Sequence, residues 1–277
     1  YMEAIEHHPL YKAHTIDSAM NSLLDFYKKW FVPLFLISFT MGLVIQYLGT
    51  FIRIDIGDYQ TFNVDEMMNK LSEYMWPMII FSLVNVLFSV ILHYFVIFKP
   101  IDSECSLLDC IVKSLRYYIP YILILIILAF FGSFAFFLGL VLLFVGVLFA
   151  IVYIMMLYLF LLPIMMVEGP IIAHAIVRTA KLAHRNFWKN IAWTAVFIIL
   201  LLVITIVLSG LALLPFTGSF LSAINSPEEA SAAMEISSRP LYIILSAVVN
   251  GITLPLLPIF ASILYFNARA RETVQMI

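Results

Sequence analysis

Long apolar runs broken by short polar segments dominate the chain, and the positions of Asp, Glu, Lys and Arg mark where each run stops. A helix needs about 20 mostly apolar residues to cross about 30 Å of hydrocarbon, and six such crossings fit. They are expected at about Phe31–Ile52, Tyr74–Phe98, Tyr118–Gly139, Val145–Met166, Asn190–Phe216 and Leu241–Asn267. Residues 117–167 carry no charge, and as a single helix, at about 1.5 Å per residue, they would reach well beyond a bilayer. That stretch must turn back on itself, and no polar residue marks the turn. Gly132, Gly139 and Gly146 recur through it every seven residues; at least one is read as punctuating the turn and the others as sites of close helix approach.

Composition turns this pattern into a fold class. The 277 residues are 64% hydrophobic and 12% charged, with a mean hydropathy of +1.05, against about 45–50% and about 25% in soluble proteins. A globule of this size could not hide so much apolar surface behind so few charges. The expectation is an all-α integral membrane protein, one membrane domain over 1–277. With 15 basic against 17 acidic residues, there is no concentrated basic surface for nucleic acid. The basic residues are instead unevenly placed. Lys12, Lys28, Lys29, Lys99, Lys113, Arg116, Arg178, Lys181, Arg185, Lys189, Arg269 and Arg271 fall on one side of the six spans, and Arg53, Lys70 and Arg239 on the other. By the positive-inside rule, both termini are then cytoplasmic. The outer loops, with Asp55, Asp58, Asp65, Glu66, Glu73, Glu228, Glu229 and Glu235, are net acidic. The first apolar run starts only after residue 30 and is long enough to span, so it is expected to act as an uncleaved anchor. Cys105 and Cys110 then lie on the reducing side and read as small packing residues.

A pattern recurs before the first, third and fifth crossings. Ser22-Leu23-Leu24-Asp25 followed by Trp30-Phe31-Val32-Pro33 resembles Ser106-Leu107-Leu108-Asp109 followed by Tyr117-Tyr118-Ile119-Pro120, and Ala173–Lys181 with Arg185–Lys189 keeps the plan. Polar residues step by three or four through each copy, as in Asp17, Asn21, Asp25 and Lys28, or His174, Arg178, Lys181 and Arg185. Each copy reads as an amphipathic helix along the cytoplasmic interface. The chain is thus expected to be three parallel repeats, about 16–98, 101–167 and 170–267, each an interfacial helix followed by a two-helix hairpin.

No Asp, Glu, Lys or Arg lies near the middle of any crossing, which weighs against a proton relay or ion-coupled carrier. The second crossing carries a polar stripe of Ser82, Asn85, Ser89 and His93, and the sixth carries Ser246, Asn250 and Thr253 followed by Pro255 and Pro258, which are expected to kink it. Interhelical hydrogen bonding explains these residues; a small substrate pocket is the sharper alternative, and His93 is a packing histidine or part of that pocket. Glu168 either caps the helix that follows, pairs with Arg178 or Lys181, or anchors a headgroup or partner. No metal set, no nucleophile motif and no Gly-rich phosphate loop is present, so no catalytic residue and no cofactor is expected.

The segment Leu162-Pro163 through Glu168, then Ala175-Ile176-x-Arg178 and Asn186-Phe187-Trp188-Lys189, resembles the signature of a broad family of bacterial six-helix membrane proteins. These are similar to the membrane domain attached to some glycerophosphoryl diester phosphodiesterases. The closing Leu264-Tyr265-Phe266 and Arg269-x-Arg271-Glu272 resemble that family's end. The resemblance implies a bacterial inner-membrane protein, without phosphodiesterase activity, because the catalytic barrel has no counterpart in these residues. The expected function is that of a non-enzymatic, lipid-associated scaffold or accessory subunit. Its expected partners are membrane lipids, anionic ones included, and other membrane subunits. Arg178, Lys181, Arg185 and Lys189, then Lys113 and Arg116, are the headgroup candidates. The alternative is a small-solute or lipid transporter with its path between the second and sixth crossings.

Overall fold

The computed structural model describes residues 2–52, 64–102, 106–218 and 235–274. Loop acids Asp55, Asp58, Glu228 and Glu229, and Cys105, lie outside the described residues. In chain order the helices are α1 Met2–Glu6, α2 Ile16–Lys29, α3 Phe31–Gly49, α4 Val64–Phe98, α5 Leu107–Val141, α6 Leu143–Glu168, α7 Ile172–Arg185, α8 Phe187–Leu213, α9 Pro240–Thr253 and α10 Leu256–Val274. Six stretches are long and apolar enough to cross a membrane: Phe31–Gly49, Ser72–Phe98, Leu107–Val141, Phe144–Glu168, Phe187–Phe216 and Pro240–Glu272. The protein is a multi-pass helical membrane protein.

Capping chemistry sets the helix starts. Thr15 and Ser18 cap α2 reciprocally, and Ser106 and Asp109 do the same for α5, each pair satisfying two backbone N–H groups that the first turn leaves without partners. The identical tetrapeptides Ser22–Asp25 and Ser106–Asp109 therefore do different work: Ser106 begins a helix, whereas Ser22 lies inside one and is buried. The second polar segment is also not a separate helix. It continues unbroken through Pro120 into the span, giving one helix of 35 residues.

The unmarked turn falls at Leu142, the single non-helical residue between α5 and α6, which donates its N–H to the Gly139 carbonyl at 3.0 Å. Its φ of −92° and ψ of 18° suit any L-residue, so no glycine is required there. Gly139 and Gly146 serve close approach instead. A Cβ on Gly139 would lie 2.7 Å from the Gly146 carbonyl oxygen, and a Cβ on Gly146 would strike the Gly139 carbonyl in turn. The expectation that one of these glycines punctuates the turn is corrected on this ground. In the last span the prolines interrupt the helix outright: α9 stops at Thr253 and α10 restarts at Leu256, with Pro255 between.

The described residues group into two compact units. One comprises Tyr1–Leu34, Ser89–Val203 and Leu254–Ile277; the other comprises Phe35–Phe88 and Ile204–Thr253. In the second unit, small residues bring α3 against α9. A Cβ on Gly42 would meet Asn250 Cβ at 2.9 Å and the Ala247 backbone at 3.1 Å, and one on Gly251 would meet the Phe35 ring at 2.8 Å. In the first unit, Tyr117, Tyr121, Phe160, Phe197, Phe260, Tyr265 and Phe266 are fully buried, and the Phe197 and Phe260 rings stack 4.1 Å apart.

Candidate functional site

The charged residues of α7 and the end of α10 converge on two carboxylates in the first unit. Helix α6 ends at Glu168 because Gly169 takes φ of +116°, which L side chains rarely adopt, and Pro170 follows. The chain then reverses into α7, which runs back along α6. His174 meets Glu168 near one end, and His184 bonds Tyr153 near the other. Tyr153 lies fifteen positions before Glu168, about 22 Å along a helix. The apolar face of α7, with Ala175, Leu182 and Ala183 at 1% exposure or less, is buried.

Glu168 accepts from Arg178 Nε at 3.1 and 2.9 Å through its two oxygens, from the Tyr265 hydroxyl at 2.9 Å and from His174 Nε2 at 3.0 Å. The far side of the same guanidinium donates to both oxygens of Glu272, Nη1 at 3.0 Å. Arg178 therefore links two acids 104 positions apart in sequence through a planar fork that an ammonium could not reproduce. The Tyr265 hydroxyl, while donating to Glu168, accepts from Arg269 Nη1 at 2.8 Å. Arg269 itself lies 3.7 Å from Glu168, and Lys181 and Arg185 lie 3.7 and 3.5 Å from Glu272. Glu168, Glu272, Arg178 and Arg269 expose between 10% and 17% of their side chains, so these are strong, poorly screened pairs. Hydrogen bonding to Glu272 and then Glu168 holds Arg178 more firmly protonated than usual against the opposing effect of burial. Four cations (Arg178, Lys181, Arg185, Arg269) face two carboxylates, which leaves the cluster net positive.

The opposite face of α10 forms a second node. Asn267 Oδ1 accepts from the His14 N–H at 2.8 Å and from Arg271 Nε at 3.1 Å, and Arg271 Nη2 donates to the His14 carbonyl at 2.7 Å. His8 packs 4.9 Å from the Phe266 ring. Its Nδ1 accepts from the Leu10 N–H at 3.1 Å, so its Nε2–H donates to the Val96 carbonyl at 3.1 Å. Only the neutral ring fits both bonds, and burial lowers its pKa from 6.5 to about 4. The residues Leu264–Glu272 thus fasten the N-terminal segment on one face and the α6–α7 reversal on the other, the three- and four-residue offsets placing each set on its own side of the helix.

The remaining sequence candidates are scattered. Lys113 lies 3.9 Å from Asp102. Arg116 bonds the Tyr117 hydroxyl and sits 4.5 Å over its own neighbour's ring. Lys189 stacks 4.8 Å over Trp193, Trp188 is 74% exposed, and Asn186 is the C-cap of α7. Sequence reasoning missed Asn190, which closes that same end by donating to the Leu182 and Ala183 carbonyls. It also missed Tyr265 and Glu272 as partners of the α7 cations.

The polar stripes resolve mostly into packing. Asn85 donates to the Phe81 carbonyl of its own helix at 2.8 Å, Thr253 to Val249 at 2.9 Å, and His93, 1% exposed, to Ser89 at 2.8 Å. Ser89 also lies 3.5 Å from the Tyr158 hydroxyl. Ser82 is exposed and Ser246 is half-buried. Two cavities of the first unit have other linings. One of about 230 Å³ is bounded by Ile5, Phe98, Arg116, Tyr117 and Glu168; the other, of about 150 Å³, lies between α5, α6 and α7. Neither touches Asn85 or Asn250. Among the described residues, no group of three or more His, Cys, Asp or Glu side chains is placed to hold a metal ion. Comparison with protein-family models, with curated proteins and with solved structures returns no match.

Proposed function

We propose that the protein is a non-enzymatic, lipid-associated scaffold or accessory subunit of a bacterial inner membrane, with both termini cytoplasmic. The observation that carries this reading is the excess of cations over carboxylates where α7 meets α10. Arg178 is consumed by Glu168 and Glu272, whereas Lys181, 64% exposed, and Arg185 approach Glu272 less closely. An anionic headgroup would be drawn to Lys181, Arg185 and the neighbouring Lys189, at about 1 kcal/mol per basic residue near a membrane surface. The orientation is supported by the division into units: the twelve Lys and Arg assigned to the cytoplasmic side all belong to the first unit, and Lys70 and Arg239 to the second. The three-hairpin repeat rests on the separate 14-residue helices α2 and α7 before α3 and α8, with the second copy fused to its span. Membership of the six-helix family is part of the same proposal, supported by the way both quoted motif segments meet in one charged cluster.

The transporter alternative is less favoured, because Asn85 donates to the Phe81 carbonyl of its own helix and neither of the two cavities described above touches Asn85 or Asn250. The test is the lipid retained by protein purified from a membrane of mixed phosphatidylglycerol and phosphatidylethanolamine. Severalfold enrichment of phosphatidylglycerol over its share of the membrane is expected. Retained lipid of bulk composition, or solute flux through the protein in sealed vesicles, would contradict the reading.

A further inference from the structure

The cavity between α5, α6 and α7 has features that neither the charged cluster nor helix packing explains. It holds about 150 Å³ and is lined by Ile124, Leu128, Phe131, Leu157, Leu161 and Ile176, together with Thr179, Ala180, Tyr153 and His184. The space is open on one side, where Phe131 and Ile176 are exposed, and a volume of this order takes a benzene-sized molecule, so a short stretch of hydrocarbon chain fits. At one end of the cavity the polar groups are mutually satisfied: His184 donates from Nδ1 to the Ala180 carbonyl at 2.8 Å, so its Nε2 accepts from the Tyr153 hydroxyl at 3.1 Å.

Thr179 is different. It is 4% exposed, and its Oγ1 is buried without a hydrogen-bond partner. A hydroxyl on a helix ordinarily donates to the carbonyl four residues back, as Thr40 does to Leu36, Thr253 to Val249 and Ser262 to Pro258, at 2.7–2.9 Å. A buried hydroxyl left without a partner costs about 1–3 kcal/mol. Trp30, Ser38, Tyr121 and Thr194 also carry buried polar atoms without partners, but none of them lines either cavity. Threonine in a helix divides between two χ1 rotamers, and Thr179 itself lines the cavity.

We propose that this cavity is a binding site for an acyl chain of a membrane glycerolipid, with Thr179 donating a hydrogen bond to the ester carbonyl at the head of the chain. The apolar walls of α5 and α6 take the methylenes, and Thr179 supplies the one directional contact. The site recognises the ester and the chain whatever the headgroup charge, and so does not depend on the anionic-lipid reading of the Lys181 region.

The test uses the full chain in vesicles of phosphatidylcholine, a lipid without net charge, doped with a phosphatidylcholine whose acyl chain carries a photoactivatable diazirine. Cross-links are mapped by mass spectrometry. Labelling is expected on the cavity walls around Ile124–Phe131, Leu157–Leu161 and Ile176–Ala180. It should fall about fivefold for the ether-linked analogue, which lacks the carbonyl, and by a similar factor in Thr179→Val, the loss of one hydrogen bond. It should disappear in Ala180→Phe, an exposed position whose new ring fills the space. The ether arm needs no substitution, so a folding defect in a variant leaves the test intact. Equal labelling by ester and ether lipids overturns the proposal, as does labelling absent from the cavity walls.

Discussion

Arg178 shows how far a single residue can be read from sequence. Its period places it on the polar face of a helix, and its nearness in sequence makes Glu168 a natural partner; the two side chains lie 2.9 Å apart. Glu272 was not legible as the other partner, because it lies 94 positions away and a helical period gives a residue's face but not what that face meets. Both acids and the guanidinium are largely buried, and removing one member of a buried pair leaves an uncompensated charge, at a cost of about 3–5 kcal/mol. Arg178→Gln should therefore lower stability by that order in denaturant unfolding of the purified protein. Arg178→Lys should recover only part of it, since a single ammonium cannot serve both carboxylates. Full recovery by lysine would contradict the bridging geometry. His8 makes a pH-dependent prediction at the same scale. Its pKa falls from 6.5 to about 4 on folding, so between those values the unfolded chain binds the extra proton. The stabilisation due to neutral His8 is complete above pH 6.5 and is lost as pH falls toward 4, by up to about 3 kcal/mol. The difference in unfolding free energy between wild type and His8→Gln should shrink over that window; a constant difference would refute the assignment.

At the scale of elements, spans bounded by charge were readable, and each observed span overlaps its expectation. Two features were hidden, each for a physical reason. The turn at Leu142 carries no polar residue and needs no positive φ, so neither hydropathy nor glycine marks it. The joining of the second polar segment to its span was concealed because a capping box begins a helix without saying where it will end. The seven-residue glycine spacing was visible, but its use depends on which helices touch. Gly139→Leu would drive a side chain into the Gly146 backbone, which cannot yield as a flexible side chain could. Overpacking of this kind costs about 1–3 kcal/mol, and thermal unfolding should register it. A Cβ on Gly210 in α8 would meet no atom within 4 Å; Gly210→Ala should be neutral or stabilising by about 0.5–1 kcal/mol. Equal effects at the two positions would mean that α5 and α6 do not meet at Gly139.

For the whole molecule, the 12% of residues that are charged do more than mark the ends of spans. The most buried of them gather into one network that ties α6, α7 and α10 together, and a second node ties α10 to the N-terminal segment. Among the described residues at the edge of the first network Lys181 stays 64% exposed, and this is the surface assigned to anionic lipid. The most direct measurement is native mass spectrometry of the chain with phosphatidylglycerol, comparing wild type with the combined Arg116→Gln, Lys181→Gln, Arg185→Gln and Lys189→Gln variant, in which Arg178 and its bridge are left intact. At about 1 kcal/mol per basic residue, the account predicts at least a tenfold loss of bound phosphatidylglycerol by a variant that circular dichroism shows to be folded. Undiminished lipid binding by a folded variant would contradict it.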